Sequence, residues 1–500
     1  MIALPCLVIV PLVGGLLAWI GGRKWPGTRV PWIASLATLC VMTAVLLDVT
    51  IRAIGRPGPW LAHFSAPWIP SLGITLRADM DGLSLVLLWL TGVLSFICVL
   101  LASRDETQRP GLFQFLLLTT ISGVNGVFIA TDLFLFLFFW ELMLVPMYIL
   151  IVLWGHEARE AAAIKFFLYT QGGGLLMMLS ILGLVLLHYR HTGVLTFDYF
   201  ALAGTAMSGR ASILLMLGFF IAFAVKLPVV PLHVWLPDTH TQAPTAGSVL
   251  LAGILLKTGG YGLIRFVVLL FPDATAQITP LAMVLGVVGI LYGAWLSLVQ
   301  TDLKRLIAYS SVSHLGFVLL GVFSGSTLGI EGAVMQMVAH GLSTGALFAI
   351  AGSLQDNLHT RDMRRMGGLW GVLPHLSATG LFFAFASLGL PGMANFVGEF
   401  LVLLAVWHVS PVIAVLGAFG LVLSAVYSLT MVGRVFMGTR SSDAPRLPDF
   451  GFRQMTVFGL TMAVVVLLGL YPRPVLDLVH PTRPDVVSVL SQSAGGNGPG

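Results

Sequence analysis

Charge is what this sequence lacks. Only 9% of its 500 residues are Asp, Glu, Lys or Arg, while 57% are hydrophobic. A water-facing domain carries about a quarter charged residues, so the functions of soluble domains are excluded and the chain belongs in a bilayer. Cysteine is scarce as well: Cys6, Cys40 and Cys98 lie in apolar stretches with no C-x-x-C and no nearby His pair. That argues against a disulfide framework, a zinc site and an iron–sulfur site. The expectation is a chain with no redox centre, bound cofactor or metal of its own. The formal charge of +5 never gathers into a basic stripe, which argues against a nucleic-acid partner. The first apolar run, Ile2 to Ile20, lacks a basic leader and is followed by Gly21-Gly22-Arg23-Lys24, so it reads as a permanent span.

Long apolar runs are what the sequence has. A span needs about 20 mainly apolar residues, and cutting wherever charges, prolines and glycines cluster leaves fourteen segments. They lie near 2–21, 31–51, 82–102, 112–130, 132–154, 164–187, 211–236, 243–270, 280–300, 303–323, 328–353, 373–408 (broken), 411–437 and 454–472. The runs are continuous, not alternating over about 10 residues, so an all-α polytopic membrane protein is expected in place of a barrel. No soluble domain fits between the spans. In alternate connections Lys and Arg number sixteen on one side and eight on the other. The positive-inside rule then places both termini on the outer face. Two bases remain, Lys226 and Lys257, both inside apolar runs.

An ionisable group at mid-span costs about 2.5–3.5 kcal/mol even on lenient scales, so each needs a reason. Glu141, Lys226, Lys257, His314, His340 and Glu399 form the set, each on a different segment. A lone buried His is often only a core hydrogen-bonder, and a buried Glu–Lys pair can serve packing alone. Such a pair is generally no better than apolar residues, however. Low dielectric brings buried acids and ammonium groups into proton exchange near neutral pH, so a proton relay is the reading preferred here.

Prolines break two spans beside these charges. Lys226-Leu227-Pro228-Val229-Val230-Pro231 interrupts the seventh, and Leu390-Pro391-Gly392 the twelfth, shortly before Glu399. Simple kinking is the plainer alternative. Two breaks five helices apart point to inverted repeats, helices 4–8 and 9–13. Glu141 then answers to His314, and Lys226 to Glu399. The organisation expected is helices 1–3 in 1–110, a first repeat in 111–271, a second in 272–440, and helix 14 with a polar tail in 441–500. The run His233 to His240 reads as the mouth of a hydrated half-channel or as a plain polar loop. Gly172-Gly173-Gly174 and Gly259-Gly260 read as close helix packing, since neither follows a strand or carries G-K-[ST].

Phe139-Trp140-Glu141-Leu142-Met143-Leu144-Val145-Pro146-Met147-Tyr148, the run Ala222 to Pro237, Thr301 to Ser310, and Asn395-Phe396-Val397-Gly398-Glu399-Phe400 together resemble the antiporter-like membrane subunits of respiratory complex I, the bacterial proton-pumping NADH:quinone oxidoreductase. The resemblance runs from about residue 80 to 440. It implies fourteen helices with helices 7 and 12 discontinuous, Glu141 and Lys226 as an inner charged pair, Lys257 as a central lysine, His314 and His340 as central imidazoles, and Glu399 leading to the outer exit. It also implies FMN, iron–sulfur clusters and quinone in partner chains, L- and N-type antiporter-like subunits as neighbours, and a bacterial inner-membrane location. Sister L- and N-type chains typically carry lysine where this one has Glu399. Gly259-Gly260 departs from the small alanines usual there, and the polar tail from Ser491 to Gly500 is a second departure. Multisubunit cation/proton antiporters resemble the same repeats, and a membrane-bound hydrogenase-type complex is a third possibility.

Overall fold

The computed structural model describes residues 2–53, 58–102, 108–438 and 448–479. Hydrocarbon offers the backbone no hydrogen-bond partner, so each apolar run closes its own bonds as a helix. The chain gives α1 (Ala3–Lys24), α2 (Val30–Ala53), α3 (Gly82–Ala102), α4 (Pro110–Ile129), α5 (Leu133–Trp154), α6 (Arg159–Thr192), α7a (Gly209–Lys226), α7b (Trp235–Gln242) and α8 (Thr245–Val268). It continues with α9 (Pro272–Val299), α10 (Leu303–Phe323), α11 (Thr327–Leu358), α12a (Pro374–Ser387), α12b (Ala394–Val409), α13 (Pro411–Val435) and α14 (Phe452–Leu470). Among the described residues thirteen helices are long and apolar enough to cross a membrane. The remaining crossing, twelfth in chain order, consists of the two halves α12a and α12b. The seventh and twelfth crossings are thus the broken ones, as the prolines predict.

Sequence sets the ends locally. Asp132 caps α5 by accepting from the Phe134 and Leu135 amides, and Asp302 caps α10 through the Arg305 amide. Proline opens α4, α9, α12a and α13, where its missing N–H costs nothing. Two helices overrun their sequence-derived bounds: α6 spans 34 residues, and α9 starts at Pro272 with Pro280 inside it. The core lies along α8, α10 and α11, whose apolar windows are 100%, 94% and 100% buried, against 28% for α14. Helix α8 carries wide π turns at Leu251–Leu255 and Leu263–Val268, on either side of Lys257.

One element is absent from the sequence reading. Between α2 and α3 an antiparallel hairpin forms from β1 (Trp60–Ile69) and β2 (Ile74–Asp81), turning at Gly73 with φ +68. It is tied down by charge: Thr75 N donates to Asp132 Oδ2 at 2.9 Å, and Arg77 pairs with Asp79 and Asp198. At its end Asp81 forms a fully buried ion pair with Arg265 of α8. That corrects the count of buried bases, because Arg265 was placed in a connection and is only 2% exposed; Lys304, also placed in a connection, is buried in the first turn of α10.

The inverted repeats have a physical marker. An isolated bridge joins Asp132 to Asp198, linking the 4–5 and 6–7 connections, and a second joins Asp302 to Asp362, linking 9–10 and 11–12. The shift is five helices, and an odd shift puts the second bridge at the opposite end of the bundle. Met1, Gly500 and the polar run Ser491 to Gly500 lie outside the described residues.

Candidate functional site

All six sequence-selected groups fall inside this helical bundle, each on its own crossing. Lys226, Lys257, His314, His340 and Glu399 are at most 1% exposed. Glu141, in the middle of α5, is only half-buried.

Lys226 is the last residue of α7a, immediately before the break. Its ammonium lies 5.5 Å from the Trp140 ring centroid and 5.3 Å from that of Phe166, and it finds no hydrogen-bond partner among the described residues. It acts on Glu141 electrostatically without forming a direct ion pair. Gln171 Nε2 donates to Glu141 Oε1 at 3.4 Å, and Gly174 leaves the space that oxygen occupies, since a Cβ there would sit 2.6 Å from it. The glycine run thus packs closely at Gly173 and Gly174, whereas Gly172 faces open space.

The second group consists of two hydrogen-bonded pairs, Lys257–His340 and His314–Glu399, set side by side. Lys257 Nζ donates to His340 Nδ1 at 2.8 Å and to the Ala252 carbonyl, which the wide turn before it leaves accessible. The His340 and His314 rings stand 5.8 Å apart. His314 Nδ1 donates to Glu399 Oε1 at 2.8 Å, and its Nε2 accepts from Tyr427 Oη at 2.9 Å and Ser387 Oγ at 3.2 Å. Gln336 Nε2 also donates to Glu399 Oε1, at 3.0 Å. A row of acid, imidazole and amine groups at such separations can pass a proton along its length without any heavy atom travelling far. Helix α8 reaches the broken crossing because of Gly259, where a Cβ would come within 2.7 Å of the Leu227 amide and the Phe223 carbonyl.

Two repeat correspondences need correction. Counted from their caps, Glu141 lies nine residues into α5 and His314 twelve into α10, so Ser311 holds the matching register and His314 lies about one turn deeper. Lys226-Leu227-Pro228 matches Gly389-Leu390-Pro391, so the counterpart of Lys226 is Gly389, and Glu399 sits beyond the break on α12b. Glu399 nevertheless reaches back to that position, for a Cβ on Gly389 would be 2.6 Å from its Oε2.

The sequence reading missed His240. It is not part of a plain polar loop: α7b buries it fully, stacked on Phe348 at 4.4 Å, and among the described residues neither ring nitrogen has a hydrogen-bond partner. It lies within electrostatic reach of Lys257 and His340. Tyr427, Gln336 and Gln171 were missed too; the only available signal was a polar side chain in an apolar run. At the end of the bundle where α5 and α11 terminate, His156, Asp302, Gln355, His359, Arg361 and Asp362 line a cavity of about 450 Å³. Burial, with Lys304 and Arg361 adding to it, pushes the His156 imidazole down to about 4, so at pH 7 the neutral ring accepts from Gln355 Nε2 at 3.1 Å. Among the described residues no cluster of three or more His, Cys, Asp or Glu is placed to hold a metal.

The geometry has close relatives. Residues 130–424 match the family described as NADH:quinone oxidoreductase/Mrp antiporter, TM. A Pseudomonas aeruginosa protein named NADH-quinone oxidoreductase subunit M is 52% identical, over 98% of this chain and 99% of its own length. An Escherichia coli K12 protein of the same name is also 52% identical, over 95% of this chain and 96% of its own. A chain of respiratory complex I from Thermus thermophilus superposes with TM-score 0.88 at 31% identity, covering 99% of this chain and 100% of that one. The Mrp complex of Dietzia sp. DQ12-45-1b contains a chain matching at TM-score 0.85 but 21% identity, over 99% of each chain, which is a likeness of fold alone. By sequence along nearly its whole length, and by the broken helices and buried charges described above, this membrane protein belongs to the NADH:quinone oxidoreductase/Mrp antiporter membrane-subunit family.

Proposed function

We propose that this chain is the M-type proton-translocating subunit of a respiratory NADH:quinone oxidoreductase. Protons move along Glu141, Lys226, Lys257, His340, His314 and Glu399, while flavin, iron–sulfur and quinone chemistry proceeds in partner chains. The observation that carries this reading is the hydrogen-bonded row Lys257–His340 and His314–Glu399, fully buried between two broken helices. The repeats 111–271 and 272–440 each contribute one half of the path. The relatives at 52% identity that carry the oxidoreductase name support it over the antiporter alternative, which shares the family description but has behind it a structural likeness at 21% identity. Isolated in mild detergent, the chain is expected to bring with it flavin, iron–sulfur clusters and NADH:quinone reductase activity. Isolation with antiporter-type chains only, and without flavin, would sink the assignment.

Neighbouring subunits are part of the same reading. Glu141 and Gln171 are half-buried at mid-span, beside the exposed Leu168, Leu175 and Leu179 of α6. A carboxyl group facing lipid is costly, so an L- or N-type subunit covers this face and seals the Glu141 end of the path.

The location is the bacterial inner membrane, with both termini outside, an orientation supported by the split of bases, fifteen to seven once the buried Lys304 and Arg265 are set aside. A reporter that works only in the cytoplasm, fused after Gly500, is expected to be inactive, and one that works only outside to be active. The reverse pattern would overturn the orientation.

A further inference from the structure

Among the described residues, four buried polar atoms without hydrogen-bond partners lie on side chains around the second break. Glu399 uses Oε1 for both its hydrogen bonds and leaves Oε2 without a partner. Gln336 donates to that carboxyl and leaves its own Oε1 unpaired. Asn395 is 0% exposed, and neither Nδ2 nor Oδ1 finds a partner. It lies four residues before Glu399 on α12b, so the two side chains share one face of the helix about a turn apart. A buried amide with no hydrogen bonds is costly, and water is the usual remedy where several polar atoms lie near one another.

We propose that Asn395 and Gln336 hold a water molecule against Glu399, and that this water takes the proton from the carboxyl group. The proposal rests on the reading of Glu399 as a relay member. The amides are positioning groups: Nδ2 of Asn395 donates to the water oxygen and Oε1 of Gln336 accepts one of its hydrogens, which leaves the other hydrogen to donate to the next water. When Glu399 gives its proton to that oxygen, one of the water's own protons leaves to the next water in the unwound stretch from Leu388 to Met393. A carboxylate remains and one proton has moved. In that stretch Gly389 and Gly392 take positive φ, +78 and +92, so the chain leaves the regular helical path beside Glu399. Across from it, Gly389 has no side chain to fill the space beside Oε2.

The test uses the intact complex. Its cryo-EM map is expected to show an ordered water hydrogen-bonded to the Asn395 amide and to Glu399; an Asn395 bonded directly to protein atoms, with no water, overturns the proposal. Asn395→Leu, which keeps the branched shape but no polar atom, is expected to lower proton pumping and quinone reductase activity together by roughly tenfold, and to raise the solvent deuterium isotope effect. Asn395→Ser, with a hydroxyl and room for a second water, is expected to keep most of the rate. Equal loss in the Leu and Ser variants with an unchanged isotope effect would mean that packing alone matters, and an unimpaired Leu variant would end the proposal. If Asn395→Leu does not assemble, Gln336→Leu with the same isotope measurement decides instead, and an unchanged effect overturns it. Glu399→Gln separates the two levels: full activity there overturns the relay reading itself, whereas loss there with an unimpaired Asn395→Leu overturns only the water.

Discussion

Glu141→Gln is expected to lower proton pumping by roughly two orders of magnitude, the scale on which a positioned acid–base group contributes, while the complex still assembles. The amide has the shape of the carboxyl and can still accept from Gln171 Nε2, but it cannot ionise. Little packing changes, because Gly174 leaves the same space at Oε1 for either group. What is lost is the acid that answers the buried charge of Lys226. Glu141→Asp keeps the chemistry but shortens the reach by one methylene, so it should retain part of the rate. Dye-quench measurements of NADH-driven acidification in sealed vesicles, at equal complex content on native gels, decide the matter. Normal pumping in the Gln variant would leave Glu141 and Lys226 as a packing pair. If electron transfer and pumping are tightly coupled, quinone reductase activity falls in the same proportion.

How much of this was legible in sequence depended on the kind of signal. A charge in a long apolar run is loud, because an uncompensated ion in hydrocarbon is too costly to keep without use; Glu141, Lys226, Lys257 and Glu399 were visible for that reason. The breaks were visible because proline cannot donate inside a helix. The hairpin at Trp60–Asp81 was not, since β2 is only eight residues long and any search for 20-residue runs passes over it. Arg265 was missed for a related reason: near the end of an apolar run it counts as a loop base, and only the fold brings Asp81 to it, 184 positions away in sequence. His240 was not singled out from a run of polar residues that reads either as a half-channel mouth or as a loop, because eight residues of α7b are too few to show a helical period. The repeat registers failed at the level of single turns: two breaks fix which helices correspond, but only the caps at Asp132 and Asp302 fix which residues do.

The two halves of the path differ in how their charges are held, and that difference bears on Lys226. Lys257 gives hydrogen bonds to an imidazole and a carbonyl. Lys226 gives none among the described residues and rests between the faces of Trp140 and Phe166, where cation–π attraction contributes about 0.5–2 kcal/mol. The Trp235 indole, bonded to the Val225 carbonyl at 2.9 Å, holds the chain on either side of the break. Lys226→Met is therefore expected to assemble, since an unbranched apolar chain fits between two rings and Glu141, with which Lys226 makes no direct pair, is only half-buried. Its pumping should fall by at least about tenfold, with Glu141 left without the charge that acts on it. Lys226→Arg distinguishes a proton carrier from a fixed charge. A guanidinium stays protonated under all working conditions, whereas an amine can shed its proton. If Lys226 works by releasing and regaining a proton, Arg is as inactive as Met although the positive charge is kept, and this is the expected result. Pumping restored by Arg to near the native rate, at equal assembly, would show instead that a standing charge beside Glu141 suffices and that the proton bypasses Lys226 on its way to Lys257.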